Sequence, residues 1–96
     1  MSGKCIKVDV TGVTTLHTYP EKKPTLPFLQ ELVGGYIEHV DVMYNRRKHD
    51  AYVDEDGLPK ELKVNSAALL KYSPSVNGYS IPLIVGPLVI VVPDEV

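Results

Sequence analysis

Ninety-six residues, 44% of them hydrophobic, with a formal charge of −2 and no tryptophan, describe one ordinary globular domain spanning 1–96. That charge gives no general pull toward nucleic acid or anionic membrane, so an extended nucleic-acid partner and a membrane partner are not expected. A lone cysteine, Cys5, excludes an internal disulfide and a cysteine zinc site, which points to a reducing, cytoplasmic setting.

A chain this short buries only about 60–65% of its unfolded surface, so its core is thin and homo-oligomerisation is an economical way to cover more of it. Six tyrosines stand against one phenylalanine, a bias that suits interfaces and small-ligand walls as well as thin cores. Met1-Ser2-Gly3-Lys4 runs into an alternating strand and not into a secretory signal. The apolar run Leu83–Val92 is broken by Gly86 and Pro87 and is too short for a membrane helix.

Cys5 to Val10 alternates, with Ile6, Val8 and Val10 inward and Lys7 and Asp9 outward. Cys5 on this strand reads as an inert, partly buried thiol. Thr11-Gly12 marks a turn, and Val13 to Tyr19 resumes strand character with Leu16 as its anchor, making a hairpin. Pro20 to Pro24 is a polar loop.

Thr25 then caps a short helix with Pro27 in its first turn, and Leu29, Leu32 and Val33 share one face. Gly34-Gly35 stops the helix, or marks a place where backbone approaches a ligand. In the strand that follows, Tyr36, Glu38, Val40, Val42 and Tyr44 form the more apolar row, expected to face the core, with Ile37, His39, Asp41 and Met43 opposite. Glu38 is the charged exception. It lies at an open sheet end, faces a ligand, or is paired internally.

Tyr44 to Asp50 reads as a turn carrying the only dense basic run, Arg46-Arg47-Lys48-His49. This is a solvated turn or a contact for a compact phosphate. Ala51, Tyr52 and Val53 return as a short strand into the acidic turn Asp54-Glu55-Asp56-Gly57, whose carboxylates read as solvent-exposed. The turn lacks the ligand spacing of a calcium loop, so no metal ligands are assigned.

Leu58 to Val64 is a connector with Leu62 and Val64 as core contacts. Asn65 caps a second helix, Ser66 to Tyr72. Ser73 to Gly78 is a loop, and Ile81 to Val92 ends in a firm strand, Leu88–Val92, after a turn at Gly86-Pro87. Both faces of that strand are apolar, so it is central or covered by a partner chain. The architecture is α+β: a small antiparallel or mixed sheet of about five strands with two short helices.

No catalytic constellation emerges. His39 and Asp41 are neighbours on one strand face, but no serine or cysteine nucleophile accompanies them. Neither a GxxxxGK nor a GxGxxG loop is present. The chain is read as a binding protein and not an enzyme, with no cofactor.

The segments LQELVGGYIEHV, YVDEDGLPKEL with its following Val64-Asn65, and IVGPLVIV resemble a family of small phage and mobile-element domains of unknown function, DUF3846. The matching positions are Leu29-Gln30, Val33-Gly34-Gly35, Ile37-Glu38, Asp54-Glu55-Gly57, Asn65 with Ala68, and Gly86 with Val89. The resemblance implies a phage-borne accessory protein acting stoichiometrically in the host cytoplasm. One form is a sponge for a small phosphorylated ligand, such as a cyclic nucleotide immune signal. The binding residues would be Gly34, Gly35, Glu38, Tyr44, Arg46, Arg47, Lys48 and Tyr52, with arginines on phosphate and tyrosines on bases. The alternative is an inhibitor that binds a host protein through the acidic turn and the sheet surface.

Overall fold

The computed structural model describes residues 3–93, so the reading of Met1-Ser2 as a lead-in to the first strand lies outside the described residues. The chain runs β1 (Gly3–Val8), β2 (Thr14–Tyr19), α1 (Leu26–Val33), β3 (Ile37–Tyr44) and β4 (Arg47–Asp54). Then come α2 (Ser66–Tyr72), β5 (Ser75–Val76), β6 (Tyr79–Ser80) and β7 (Leu88–Pro93).

Asp9 closes the first hairpin, its Oδ1 accepting from the amides of Thr11 (2.9 Å) and Val13 (3.1 Å) and from the Thr11 hydroxyl. Gly12 takes φ +89°, open to glycine without strain. Thr25 Oγ1 caps α1 by accepting from Phe28 N at 3.3 Å, and Gly34 ends it at φ 94°. Asn65 caps α2 and does more. Its Oδ1 accepts from Ala68 N, while its Nδ2 donates to Val8 O (3.0 Å) and Gly86 O (2.9 Å). One fully buried amide thus ties α2 to the end of β1 and to the turn before β7.

The strands form one sheet in the order β2-β1-β7-β4-β3-β5-β6, every pairing antiparallel. The last strand therefore lies in the middle, with Ile90 opposite both Ile6 and Ala51. Because side chains alternate, β7 feeds two cores. Leu88 and Ile90 join Ile6, Val8, Val40, Val42 and Ala51 under Ala68 and Tyr72 of α2. Val89 and Val91 join Cys5 and Tyr19 under Leu29 and Val33 of α1. Helices cover opposite faces, which explains why β7 reads as an unbroken apolar run.

Several expectations are corrected. The sheet has seven strands among the described residues, not about five, because β5 and β6 form a miniature hairpin within the expected Ser73–Gly78 loop and just beyond it. A two-residue strand has no periodicity to read. Leu16 is 65% exposed and anchors nothing, since β2 is an edge strand with a neighbour on one side only. The buried anchor of β2 is Tyr19, whose ring fills the space left by Gly3 opposite it and meets Phe28 edge-on at 6.1 Å. Tyr36 precedes β3 and is exposed, and Val64 is half-exposed, held by an isolated bridge to Val85. Finally, β4 starts at Arg47, so most of the basic run is strand and not turn.

Candidate functional site

The β3–β4 hairpin decides which of the expected site residues meet. Ile37 pairs with Asp54 at one end and Tyr44 with Arg47 at the other, so the hairpin is eight residues long on each strand. Eight strand residues span roughly 25 Å. Gly34 and Gly35 therefore stand at the opposite end of the hairpin from Arg46 and Arg47. Glu38, exposed and opposite Val53, is also near the glycine end. Within a single chain this distance keeps the eight residues from sharing one small pocket.

At the glycine end, the close approach is internal. A Cβ on Gly35 would lie 2.5 Å from Lys60 Nζ and 3.0 Å from Asp54 Oδ2. Lys60 donates to Asp54 Oδ2 at 2.7 Å, and Asp56 N donates to Asp54 Oδ1 at 2.8 Å. Asp54 is thus buried and paired, contrary to its reading as a solvent-exposed turn carboxylate. Burial opposes its charge, but the Lys60 hydrogen bond, the Asp56 amide and the lysine charge together hold its carboxyl below the usual range.

At the tip, Asn45 (φ 51°) and Arg46 (φ 64°) make a two-residue turn with both residues left-handed. Glycine is the favoured second residue of such a turn, as in the Asn77-Gly78 turn between β5 and β6. Arg46 holds a left-handed conformation that costs an L-residue about 1 kcal/mol. Strand alternation then separates the rest of the basic run. Arg47, opposite Tyr44, and His49, opposite Val42, belong to the α2 side; Lys48 and Tyr52 belong to the α1 side.

On the α2 side, Tyr44 meets His49 edge-on at 5.5 Å and Tyr72 at 6.3 Å. Lys71 Nζ is 6.0 Å from the Tyr72 ring centre. Between this aromatic wall and the first hairpin lies an open groove of about 470 Å³, bounded by Tyr44, Asn45, Lys71 and Tyr72 on one side and Ile6, Thr14 and Leu16 on the other. Neither Lys71, Tyr72 nor Thr14 was singled out from the sequence. Lys71 and Tyr72 look like ordinary last-turn helix residues, and no pattern signals that the sheet brings them beside Tyr44.

On the α1 side, Asp41 stands directly opposite Asp50. His39 Nε2 is 2.8 Å from Asp50 Oδ1 and 3.7 Å from Asp41 Oδ1, and Lys48 Nζ is 3.7 Å from Asp41 Oδ2. Tyr52 meets the His39 ring edge-on at 5.5 Å. The His39–Asp41 neighbourhood was legible as strand alternation; Asp50 was not, because register needs the length of the turn.

The architecture is that of a small antiparallel α+β domain with a helix on each face. The family model of DUF3846, a domain of unknown function, matches residues 4–96, and the chain belongs to that family. No curated protein and no solved structure matches it. No helix among the described residues is long and apolar enough to cross a membrane.

Proposed function

We propose that this protein binds, without transforming it, a small phosphorylated ligand that carries an aromatic ring, a nucleotide in the first instance. The observation that carries this reading is the groove between Tyr44–Tyr72 and the first hairpin. It combines the partly exposed Tyr44 ring, backed by the buried Tyr72, for a base, the Lys71 ammonium for charge, and the Asn45 amide and Thr14 hydroxyl for directed hydrogen bonds. Arg46 follows the lining residue Asn45 in the turn, which sets one further cation at the lip, while Arg47 borders the recess beside Asp41 and Asp50 instead. Base stacking on aromatic side chains contributes roughly 1–3 kcal/mol per base. In the phage-borne setting that the sequence resemblance implies, capture of a cyclic nucleotide signal is the corresponding role, and a homo-oligomer would wall the open groove.

Native mass spectrometry of the purified chain with mononucleotides and cyclic di- and trinucleotides tests this. Ligand mass gained at fixed stoichiometry, and lost in Tyr44→Ala and Lys71→Ala, is the expected result. No gain from any nucleotide would sink it.

A second reading, binding of a host protein, draws on the exposed Glu55 and Asp56 and on edge strand β2, which is uncharged and exposes Leu16. Asp54 is already committed to Lys60, so the acidic turn offers two carboxylates and not three.

A further inference from the structure

We propose that the α1-side face of the β3–β4 hairpin binds a first-row divalent cation of the zinc class, with His39, Asp41 and Asp50 as ligands. One ligand atom from each residue lies within 4.8 Å of the other two. Around an ion with bonds of about 2.0–2.2 Å, ligand atoms stand about 3–3.5 Å apart, so small side-chain rotations close the set. Two adjacent, paired strands hold the three positions, which gives the set a rigid base.

Two further features point the same way. Asp41 and Asp50 are directly opposite in register, where like charges destabilise a strand pair unless a cation lies between them. Among the described residues the Lys48 ammonium lies 3.7 Å from Asp41 Oδ2 and is 71% exposed. Beside Asp41 and Asp50 the surface also dips into a recess of about 370 Å³ bordered by Arg47, Lys48, His49 and Val91. That recess leaves room for water or an anion to complete the coordination sphere, as in zinc sites with an open position. The imidazole distinguishes this set from an acidic patch. One nitrogen and two carboxylates suit Zn²⁺, Co²⁺ or Mn²⁺ better than Ca²⁺ or Mg²⁺, which take oxygen ligands. The site is on the opposite face of the sheet from the nucleotide groove, and neither reading depends on the other.

Calorimetric titration of the untagged full chain with ZnCl₂, and of a parallel sample with CoCl₂ read by visible absorption, tests the site. One ion per chain is expected. His39→Ala and Asp50→Asn should each weaken binding at least tenfold, while His17→Ala and His49→Ala should leave it unchanged. Lys48→Met, which removes the competing ammonium from an exposed position, should tighten binding several-fold. No binding of either metal up to millimolar concentration would overturn the site. So would an affinity unaltered by His39→Ala, weakened binding in Lys48→Met, or loss of the ion in His17→Ala or His49→Ala. Circular dichroism of each variant confirms its fold, and Lys48→Met keeps the test decisive if a ligand variant unfolds.

Discussion

Lys60 donates to Asp54 across 2.7 Å, and the ammonium occupies the space that Gly35 leaves by having no Cβ. The second glycine of the pair thus serves a buried carboxylate, while the first serves the helix end. Lys60→Ala leaves Asp54 buried with a single amide partner and should cost about 1–3 kcal/mol. The 41% exposure of the lysine keeps this at the lower part of that range. Gly35→Ala should cost a similar amount in the native background and less when Lys60 is already alanine. Urea unfolding of the four proteins of this double-mutant cycle measures the coupling, and strict additivity would refute the contact.

The same carboxylate makes stability depend on pH. Its folded pKa is depressed, so its contribution is fully present above the unfolded value of about 3.9 and is lost as pH falls through the folded one. Thermal melts from pH 6 down to pH 2 should show a steeper loss below about pH 4 for the native chain than for Asp54→Asn. Equal slopes would mean that Asp54 titrates alike in the folded and unfolded chain.

Asn65 concentrates more hydrogen bonding than any other described side chain in the interior. Asn65→Ala removes a helix cap and leaves the Val8 and Gly86 carbonyls without their amide donor, for a loss of at least about 3 kcal/mol. In a domain of this size that lowers Tm by more than about 10 °C. Asn65→Asp keeps the acceptor but not the donors and should be nearly as damaging. A melt within 3 °C of the native chain for either variant would contradict this account.

Arg46 separates folding from binding. Glycine at that position relieves the left-handed turn, so Arg46→Gly should leave stability unchanged or raise it by up to about 1 kcal/mol. The same substitution removes a cation from the groove lip and should weaken nucleotide retention several-fold. Unaltered retention would exclude Arg46 from the ligand contact.

Burial pushes the Cys5 thiol up to about 11. A thiol reagent at pH 8 should therefore modify the native chain far more slowly than the urea-unfolded chain. The raised pKa also stabilises the fold fully below the unfolded value of about 8.5, and that contribution is lost as pH rises through about 11. Cys5→Ala should flatten this alkaline decline. Rapid native-state labelling would show that β1 opens locally.

Local features of this protein are determined by the sequence alone. The caps at Thr25 and Asn65, the glycine stop at Gly34, the first hairpin turn and the firm Leu88–Val92 strand each depend on a few adjacent residues whose backbone preferences agree. Pairing across the chain is different. Leu16 and Tyr19 lie on one strand, and only the edge position of β2, with Gly3 beneath Tyr19, makes the tyrosine the anchor and exposes the leucine. The basic run looks like one cluster, yet a two-residue turn places Arg47 and Lys48 on opposite faces of β4. Tertiary structure alone decided that Asp50 faces Asp41, that Lys60 reaches Asp54 and that Lys71 and Tyr72 stand beside Tyr44. The physical reason is register: a shift of one residue in strand pairing exchanges the two faces of the sheet, and no local preference encodes that choice.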